Sequence, residues 1–90
     1  MSGTSADQTS CLIRKVLREH ARIPTPVDEL GDDADLYRAG MTSLACVSVM
    51  LALEDAFSIE FPDHLLQKQT FINIHSIRAA LTEASRGEKT

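Results

Sequence analysis

Apolar residues recur at helical spacing in three stretches of the chain, about 8–21, 43–57 and 71–84. Residues three or four positions apart share one face of a helix, so each stretch predicts a helix with an apolar stripe. The middle stretch is apolar on most sides, which is typical of a helix inside a bundle or of one that shows an apolar patch to a partner. The apolar positions of the three stretches are Leu12, Ile13, Val16, Leu17 and Ala21; Leu44, Val47, Val49, Met50, Leu51, Leu53 and Phe57; and Phe71, Ile74, Ile77 and Leu81.

Residues that start and stop helices lie at the edges of these stretches. Thr9 or Ser10 could cap the first helix and Thr70 the last, because hydroxyl side chains accept hydrogen bonds from free N–H groups at a helix start. Pro24 and Pro26 end the first helix, since proline lacks the backbone donor that a helix needs. Ser58 ends the second.

The connection 23–42 is long, and a compact domain seldom contains a structureless loop of about 20 residues without a functional reason. Spaced apolar residues in it predict that it packs on the core, with a short turn at 35–38 that Asp32 or Asp33 could cap. Pro62 begins another short turn, 63–66.

These elements predict an all-α fold. It is a small four-helix bundle, with three long helices, one short helix and a long loop between helices 1 and 2. Residues 8–85 form the domain, and 1–7 and 86–90 are expected to be flexible termini.

Composition narrows the class of function. The net charge is −4, and the chain has no Trp and one Tyr, which argues against nucleic-acid binding. Residues 27–63 hold nine acids and one base, a local charge of −8. This acidic middle is either a solvated loop or a surface for basic partners. No apolar run approaches the roughly 20 residues that a membrane span needs, and no secretory signal is visible, so we expect a cytoplasmic protein.

The residues that could carry catalysis or bind a metal do not form a recognisable set. Histidines occur in three different elements, and neither G-x-S-x-G nor H-E-x-x-H is present. A calcium loop beginning at Asp33 and Asp35 would place Arg38 where that loop needs glycine. Cys11 and Cys46 lie within helical patterns and fit neither a disulfide framework nor a metal spacing, which predicts buried, reduced thiols. We therefore expect no metal site, no catalytic residues and no enzyme.

Ser43 is the candidate functional residue. It belongs to the string Gly40-Met41-Thr42-Ser43-Leu44, directly before the middle helix. A serine at a helix start lies close to free N–H groups, where an anion is favoured. Local chemistry also allows a plain N-cap at Ser43, or a cap at Thr42 that leaves Ser43 in the first turn.

The chain from Gly40 onward resembles the acyl carrier protein family. That family shows G-x-D-S-L, then a helix with V-x-L-x-x-x-L-E-x-x-F, then I-x-I-P-D. The resemblance extends back to Asp35-Leu36-Tyr37 and forward to Thr70-Phe71, so that it covers about 12–81. The positions in register are Gly40, Ser43, Leu44, Val47, Leu53, Glu54, Phe57, Ile59, Phe61, Pro62 and Asp63.

The resemblance implies a monomeric carrier protein that performs no catalysis. Phosphopantetheine from coenzyme A would be esterified to Ser43 by a separate phosphopantetheinyl transferase, which makes the carrier a phosphoprotein. The terminal thiol of this arm would hold a cargo as a thioester and deliver it to a downstream acceptor enzyme. A helical interaction module that is never modified is the alternative from another class.

Two strings, G-M-T-S and M-L-A-L-E-D-x-F-x-I-E-F-P-D, resemble more narrowly the bacterial aminoacyl carrier proteins. A stand-alone amino acid:[carrier protein] ligase, similar to class II aminoacyl-tRNA synthetases, loads these with a small amino acid such as glycine or alanine. The alternative is a specialised acyl carrier that an acyl-loading enzyme supplies with fatty-acid-, polyketide- or lipid-type thioesters.

The chain also departs from the general family pattern. Thr42 stands where the family usually has Asp, and Ala45 and Ser48 stand where it has partner-facing acids. By analogy with the family, the residues expected to contact partners are Met41, Thr42, Leu44, Val47, Leu51 and Glu54.

Overall fold

The computed structural model describes the backbone of residues 4–87 and the side chains of residues 8–85. Its α-helices are α1 (Thr4–His20), α2 (Leu36–Ala39), α3 (Ser43–Phe57) and α4 (Ile74–Gly87). Single turns of 3-10 helix occur at Val27–Glu29, Asp63–Leu65 and Lys68–Phe71. The described residues contain no strand, so the predicted all-α four-helix fold is confirmed.

The short helix is α2, in the long connection, where the sequence predicts a short turn at 35–38. The short turn predicted at 63–66 is the 3-10 turn Asp63–Leu65. Residues 1–3 and 88–90 of the termini predicted to be flexible lie outside the described residues, and the domain bounds stay a prediction.

The core lies where α1 packs against α3 and α4. Its largest fully buried side chains come from all four helices, and they are Ile13, Leu17, Leu36, Val49, Leu53, Ile74 and Ile77. Each contributes about 1.5–3 kcal/mol by leaving water. The predicted apolar stripes are therefore confirmed, except that Leu12 is 37% exposed at the edge of the α1 stripe.

The caps of the first two helices differ from the predicted ones. α1 begins at Thr4, so Thr9 and Ser10 lie inside the helix and neither caps it. α2 is capped by Asp35, whose Oδ1 accepts the N–H groups of Tyr37 and Arg38 at 2.9 and 3.1 Å. Asp35 directly precedes the helix, whereas Asp32 and Asp33 lie too early to reach those donors.

The cap predicted for the last helix is also wrong. α4 begins at Ile74 rather than Phe71, and Asn73 Oδ1 accepts the N–H of Ser76 at 2.7 Å at its start. Thr70 is buried in the preceding 3-10 turn, where its own N–H donates to the Gln67 carbonyl. The tight turn at 68–71 shifts the helix start by three residues relative to the sequence pattern.

Asp32 fastens the long loop to two helices. Its carboxylate accepts from Arg14 of α1 at 2.8 Å and from Arg78 of α4 at 3.3 Å. Its carbonyl accepts the N–H of His75 at 3.0 Å. Burial raises the pKa of the Asp32 carboxyl, but the hydrogen bonds and charges of the two arginines outweigh burial and hold that pKa below its usual value. The loop is thus packed on the core, as its apolar spacing predicts.

Part of the acidic middle is neutralised within the protein. Asp28 pairs with Arg18 at 2.9 Å, in addition to the Asp32 contacts with Arg14 and Arg78. These bases lie outside 27–63, which is why the charge along the chain is so uneven. The negative charge left for a partner is therefore smaller than the local sequence count suggests.

The two thiols have different surroundings. Cys46 is half-buried on α3, but Cys11 on α1 is exposed, so the prediction of burial is wrong for Cys11. Cys11 lies two positions before Ile13, the first buried residue in the described part of α1, on the side that faces solvent. In the part of the chain that is described, no helix is long and apolar enough to cross a membrane.

Gly40 allows the loop and the start of α3 to approach each other. Its φ is +127°, a conformation that L side chains rarely adopt. A Cβ placed there would lie 2.6 Å from Pro24 Cδ. The Gly40 N–H also closes α2 by donating to the Leu36 and Tyr37 carbonyls. Glycine is therefore required where the chain turns from α2 into α3.

Replacing Gly40 with Ala should lower the free energy of unfolding by more than about 1 kcal/mol, because both the φ angle and the Pro24 ring oppose a side chain. Gly31→Ala is the matched control, since no atom lies within 4 Å of a Cβ at Gly31. That variant should stay within about 0.5 kcal/mol of wild type. Urea denaturation of the three proteins checks this, and equal stabilities of the two variants would contradict it.

Candidate functional site

Thr42, not Ser43, caps α3. Thr42 has extended backbone angles, and its Oγ1 accepts the N–H of Ala45 at 3.0 Å. Its carbonyl accepts the N–H of Cys46 at 2.9 Å. Ser43 is then the first helical residue and its side chain is exposed. Of the two capping possibilities that the sequence allows, the structure selects the one that leaves the Ser43 hydroxyl available for chemistry.

The surroundings of Ser43 suit an anion. The first turn of α3 contains no acidic residue. The N–H groups of Ser43 and Leu44 have no partner within the helix, because the first turn lacks preceding carbonyls. A negative group at such a helix start is stabilised by about 0.3–1 kcal/mol. A phosphodiester on the Ser43 oxygen therefore fits this position, both sterically and in charge.

A groove of about 240 Å³ begins at Ser43. One wall is the face of α3 that runs from Ser43 to Met50, and the other wall is the segment 66–68. Tyr37 and Phe71 also line the groove. The Phe71 ring packs edge-on against the buried Phe61, with 5.5 Å between ring centroids, so this side of the groove is continuous with the core. The groove is open to solvent and mostly apolar.

Tyr37 joins the two walls of this groove. Its hydroxyl lies 3.3 Å from Cys46 Sγ and donates to the Lys68 carbonyl at 3.4 Å. The Lys68 Nζ lies over the Tyr37 ring, 4.9 Å from its centroid. Burial raises the pKa of Tyr37, and the neighbouring Cys46 and Asp35 raise it further, so the phenol stays protonated. The sequence predicts Tyr37 only as an apolar residue of the loop and as part of the family resemblance, and it assigns Lys68 no role. Their contact spans 31 residues and depends on a 3-10 turn that the sequence does not predict.

The apolar side chains expected to meet partners form a patch on α3. Leu44 is 81% exposed, Val47 48% and Leu51 55%. They are three or four positions apart, so they lie along one side of the helix, directly after Ser43. Large apolar side chains with this much exposure mark a contact surface.

The other three expected contact residues differ in exposure. Thr42 is exposed at the start of α3. Met41 is only 3% exposed and belongs to the core, so its side chain is not available to a partner. Glu54 is half-buried, and its Oε2 accepts the Phe61 N–H at 2.9 Å. Met41 is one of the spaced apolar residues that predict packing of the connection on the core, and its burial agrees with that spacing rather than with the family analogy.

The three histidines contact side chains other than Ser43. His64 pairs with Glu83, His75 Nδ1 lies 3.4 Å from Arg78, and His20 approaches Glu19 at 4.0 Å. No histidine contact with Ser43 occurs among the described residues. Within the same residues, no group of three or more His, Cys, Asp and Glu side chains could hold a metal ion.

A family model and a known protein match most of the chain. The family model for the phosphopantetheine attachment site matches residues 11–79. An aminoacyl carrier protein of Agrobacterium fabrum is 51% identical over 65 residues, which are 72% of this chain and 78% of that protein.

Two solved structures are also similar to this chain. One match is to the crystal structure of an engineered Bradyrhizobium japonicum glycine:[carrier protein] ligase complexed with the carrier protein from Agrobacterium tumefaciens and AMP. The TM-score is 0.80 at 45% identity, covering 81% of this chain and 97% of the matched one. A solution structure of an Agrobacterium tumefaciens protein matches with a TM-score of 0.72 and 42% identity, covering 89% and 96% of the two chains.

Replacing Thr42 with Ala should lower the free energy of unfolding by about 0.5–2 kcal/mol, because the Ala45 N–H loses its acceptor. Thr42→Asp retains an acceptor and adds a negative charge at the helix start, so it should be at least as stable as wild type. Urea denaturation at low salt measures these differences.

The control for the cap is Thr82→Ala. Thr82 is exposed on α4, and its hydroxyl donates only to the carbonyl of Arg78, one turn earlier. This variant should lie within about 0.5 kcal/mol of wild type. A Thr42→Ala protein as stable as Thr82→Ala would show that the cap does not hold the start of α3.

Proposed function

Since the chain belongs to the phosphopantetheine attachment-site family, we propose that it is an aminoacyl carrier protein with the arm on Ser43. The family consists of carriers rather than enzymes, and phosphopantetheine is their covalent cofactor. The chain's own contribution is to present one hydroxyl, to bind the enzymes that load and unload the arm, and to keep the cargo accessible. The arm supplies the thiol on which an aminoacyl group is held as a thioester.

The observation that carries the site assignment is the capping of α3 by Thr42. Because Thr42 satisfies the Ala45 N–H, the Ser43 hydroxyl has no capping role and stays exposed. In the transfer reaction the Ser43 oxygen forms a bond to phosphorus and loses its proton, while the bond from that phosphorus to the nucleotide part of coenzyme A breaks. A separate phosphopantetheinyl transferase must catalyse this step, since Ser43 has no base beside it among the described residues.

The relatives support an aminoacyl cargo. One is an aminoacyl carrier protein at 51% identity, and another is a carrier seen in complex with a glycine:[carrier protein] ligase. The size of the groove also favours a small cargo, since pockets that enclose drug-sized ligands measure about 300–1,000 Å³. A groove of about 240 Å³ that opens to solvent is too small to enclose a long acyl chain, whereas a short polar aminoacyl group needs no enclosing pocket. We infer glycine or alanine, loaded by a ligase similar to class II aminoacyl-tRNA synthetases.

We further infer that Leu44, Val47 and Leu51 form the surface that this ligase contacts. The three side chains start one residue after the attachment serine, so a partner bound there has the arm at the edge of its contact area. Since the first turn of α3 carries no acid, apolar contact rather than charge would provide most of the affinity there. A cytoplasmic location fits a carrier that meets a transferase, a ligase and a downstream acceptor enzyme.

The first test is the intact mass of the protein after co-expression with a phosphopantetheinyl transferase. Wild type should gain one phosphopantetheine, and Ser43→Ala should gain none, because the acceptor oxygen is absent. Ser48→Ala, which removes an exposed serine from the same helix, should be modified like wild type. An arm that persists on Ser43→Ala would overturn the site assignment, and an unmodified wild type would favour a simple interaction module.

The second test concerns cargo and partner together. The arm-bearing protein should be charged with glycine or alanine by a synthetase-like ligase in the presence of ATP. Leu51→Asp should lower kcat/KM for charging at least tenfold, or about 1.4 kcal/mol, because the new carboxylate is desolvated at the contact. Val47→Asp should act in the same direction.

The control variant for the surface is Ala79→Asp, on the exposed side of α4. It should be charged at the wild-type rate, and circular dichroism should show all variants folded. Loading of Leu51→Asp as fast as Ala79→Asp would exclude this surface. Charging by acyl groups but by no amino acid would favour the specialised acyl carrier.

A further inference from the structure

Lys68 is a positive side chain on the groove that begins at Ser43. It lies on the wall opposite α3, in the 3-10 turn Lys68–Phe71, and it is exposed. Its ammonium rests over the ring of Tyr37, 4.9 Å from the centroid. A ring face is a weak partner for a cation at an exposed site, because water competes with it. The ammonium can therefore move to a better partner without breaking a strong interaction.

Three other bases of the protein have carboxylate partners. Arg14 and Arg78 pair with Asp32, and Arg18 pairs with Asp28. Among the ion pairs between described residues, none includes Lys68. The lysine that lines the groove of the attachment serine therefore has no carboxylate among its described ion-pair partners. A lysine suits a movable contact, because its ammonium is a compact charge on a flexible stem.

Modification of Ser43 adds one negative charge at the mouth of this groove. We propose that Lys68 then leaves the Tyr37 ring and binds the phosphodiester of the arm, so that it fixes the direction in which the arm leaves the helix. This rests on the proposed function, in which Ser43 carries the arm. Opposite charges on the two walls of one narrow, partly apolar groove attract each other more strongly than they would in open water. The N–H groups at the start of α3 and the Lys68 ammonium would hold the phosphate from two sides.

In this arrangement the arm and a partner enzyme would occupy different sides of α3. An arm held toward 66–68 starts along the groove side of the helix, which Val47 also lines, whereas Leu44 (81% exposed) and Leu51 (55% exposed) lie outside the groove and stay uncovered. A partner can then contact the apolar surface while the arm enters its active site from the side. Lys68 acts here as a positioning residue, because it touches neither the thiol nor the cargo.

Nuclear magnetic resonance of the unmodified and arm-bearing proteins tests this directly. In the unmodified form the Lys68 Hε signals should be shifted upfield, since they lie above the Tyr37 ring. After modification these signals should move downfield. The Tyr37 ring signals should change position as well, because the ammonium no longer lies over the ring. The phosphorus resonance should differ between wild type and Lys68→Gln, and Lys68→Arg should restore the wild-type position because it keeps a cation.

Lys15→Gln is the control, since Lys15 is an exposed base on α1 in a different groove. Its phosphorus resonance should match that of wild type. Intact mass is measured first, so that a protein without an arm counts against the proposed function. With the arm on Ser43, Lys68 signals that stay at their upfield positions, or a phosphorus resonance unchanged in Lys68→Gln, would overturn the role of Lys68 alone.

Discussion

The hydrogen bond from the Ala45 N–H to Thr42 Oγ1 determines how the rest of the site is arranged. It fixes the residue at which α3 begins, and it uses a hydroxyl other than that of Ser43. If Ser43 were the cap, its oxygen would accept a bond from the helix and would be a poorer acceptor for a phosphoryl group. With the cap at Thr42, Ser43 becomes the first helical residue, at the place where the helix dipole favours negative charge. The helix end is closed by the left-handed Ser58, so that α3 is a rigid support of defined length.

Thr42 can act in this way only because the preceding loop is held in place. Gly40 passes against Pro24 at a distance that leaves no room for a side chain. Met41 then anchors the chain in the core, and Asp32 ties the loop to α1 and α4 through two arginines. Most of this loop is irregular in structure, yet it positions Ser43. A long connection without regular elements is thus explained by its task of setting the start of α3.

How much the sequence could predict depends on whether a feature is local. The long helices follow from apolar periodicity, and Ser43 follows from a motif that resembles a known family. The residue that caps α2 is harder to predict from the sequence, because three acids lie within the four residues before this helix and only Asp35 adjoins it. Asp32 forms ion pairs with Arg14 and Arg78 instead, and both arginines lie far from it in the sequence. The 3-10 turn at Lys68–Phe71 likewise depends on tertiary packing that no local pattern contains.

The distribution of charge relates the site to its cargo. A phosphodiester on Ser43 would meet no carboxylate in the first turn of α3, since Thr42, Ala45 and Ser48 stand where acids are usual in the wider family. An amino acid held as a thioester carries an α-ammonium, and water solvates this charge better than an apolar groove does. A groove that is small, apolar and lined by Lys68 therefore disfavours the cationic end of such a cargo. In the arrangement that we propose, the same groove would hold the anionic start of the arm, so charge would help to separate the end that is held from the end that is offered to a partner enzyme.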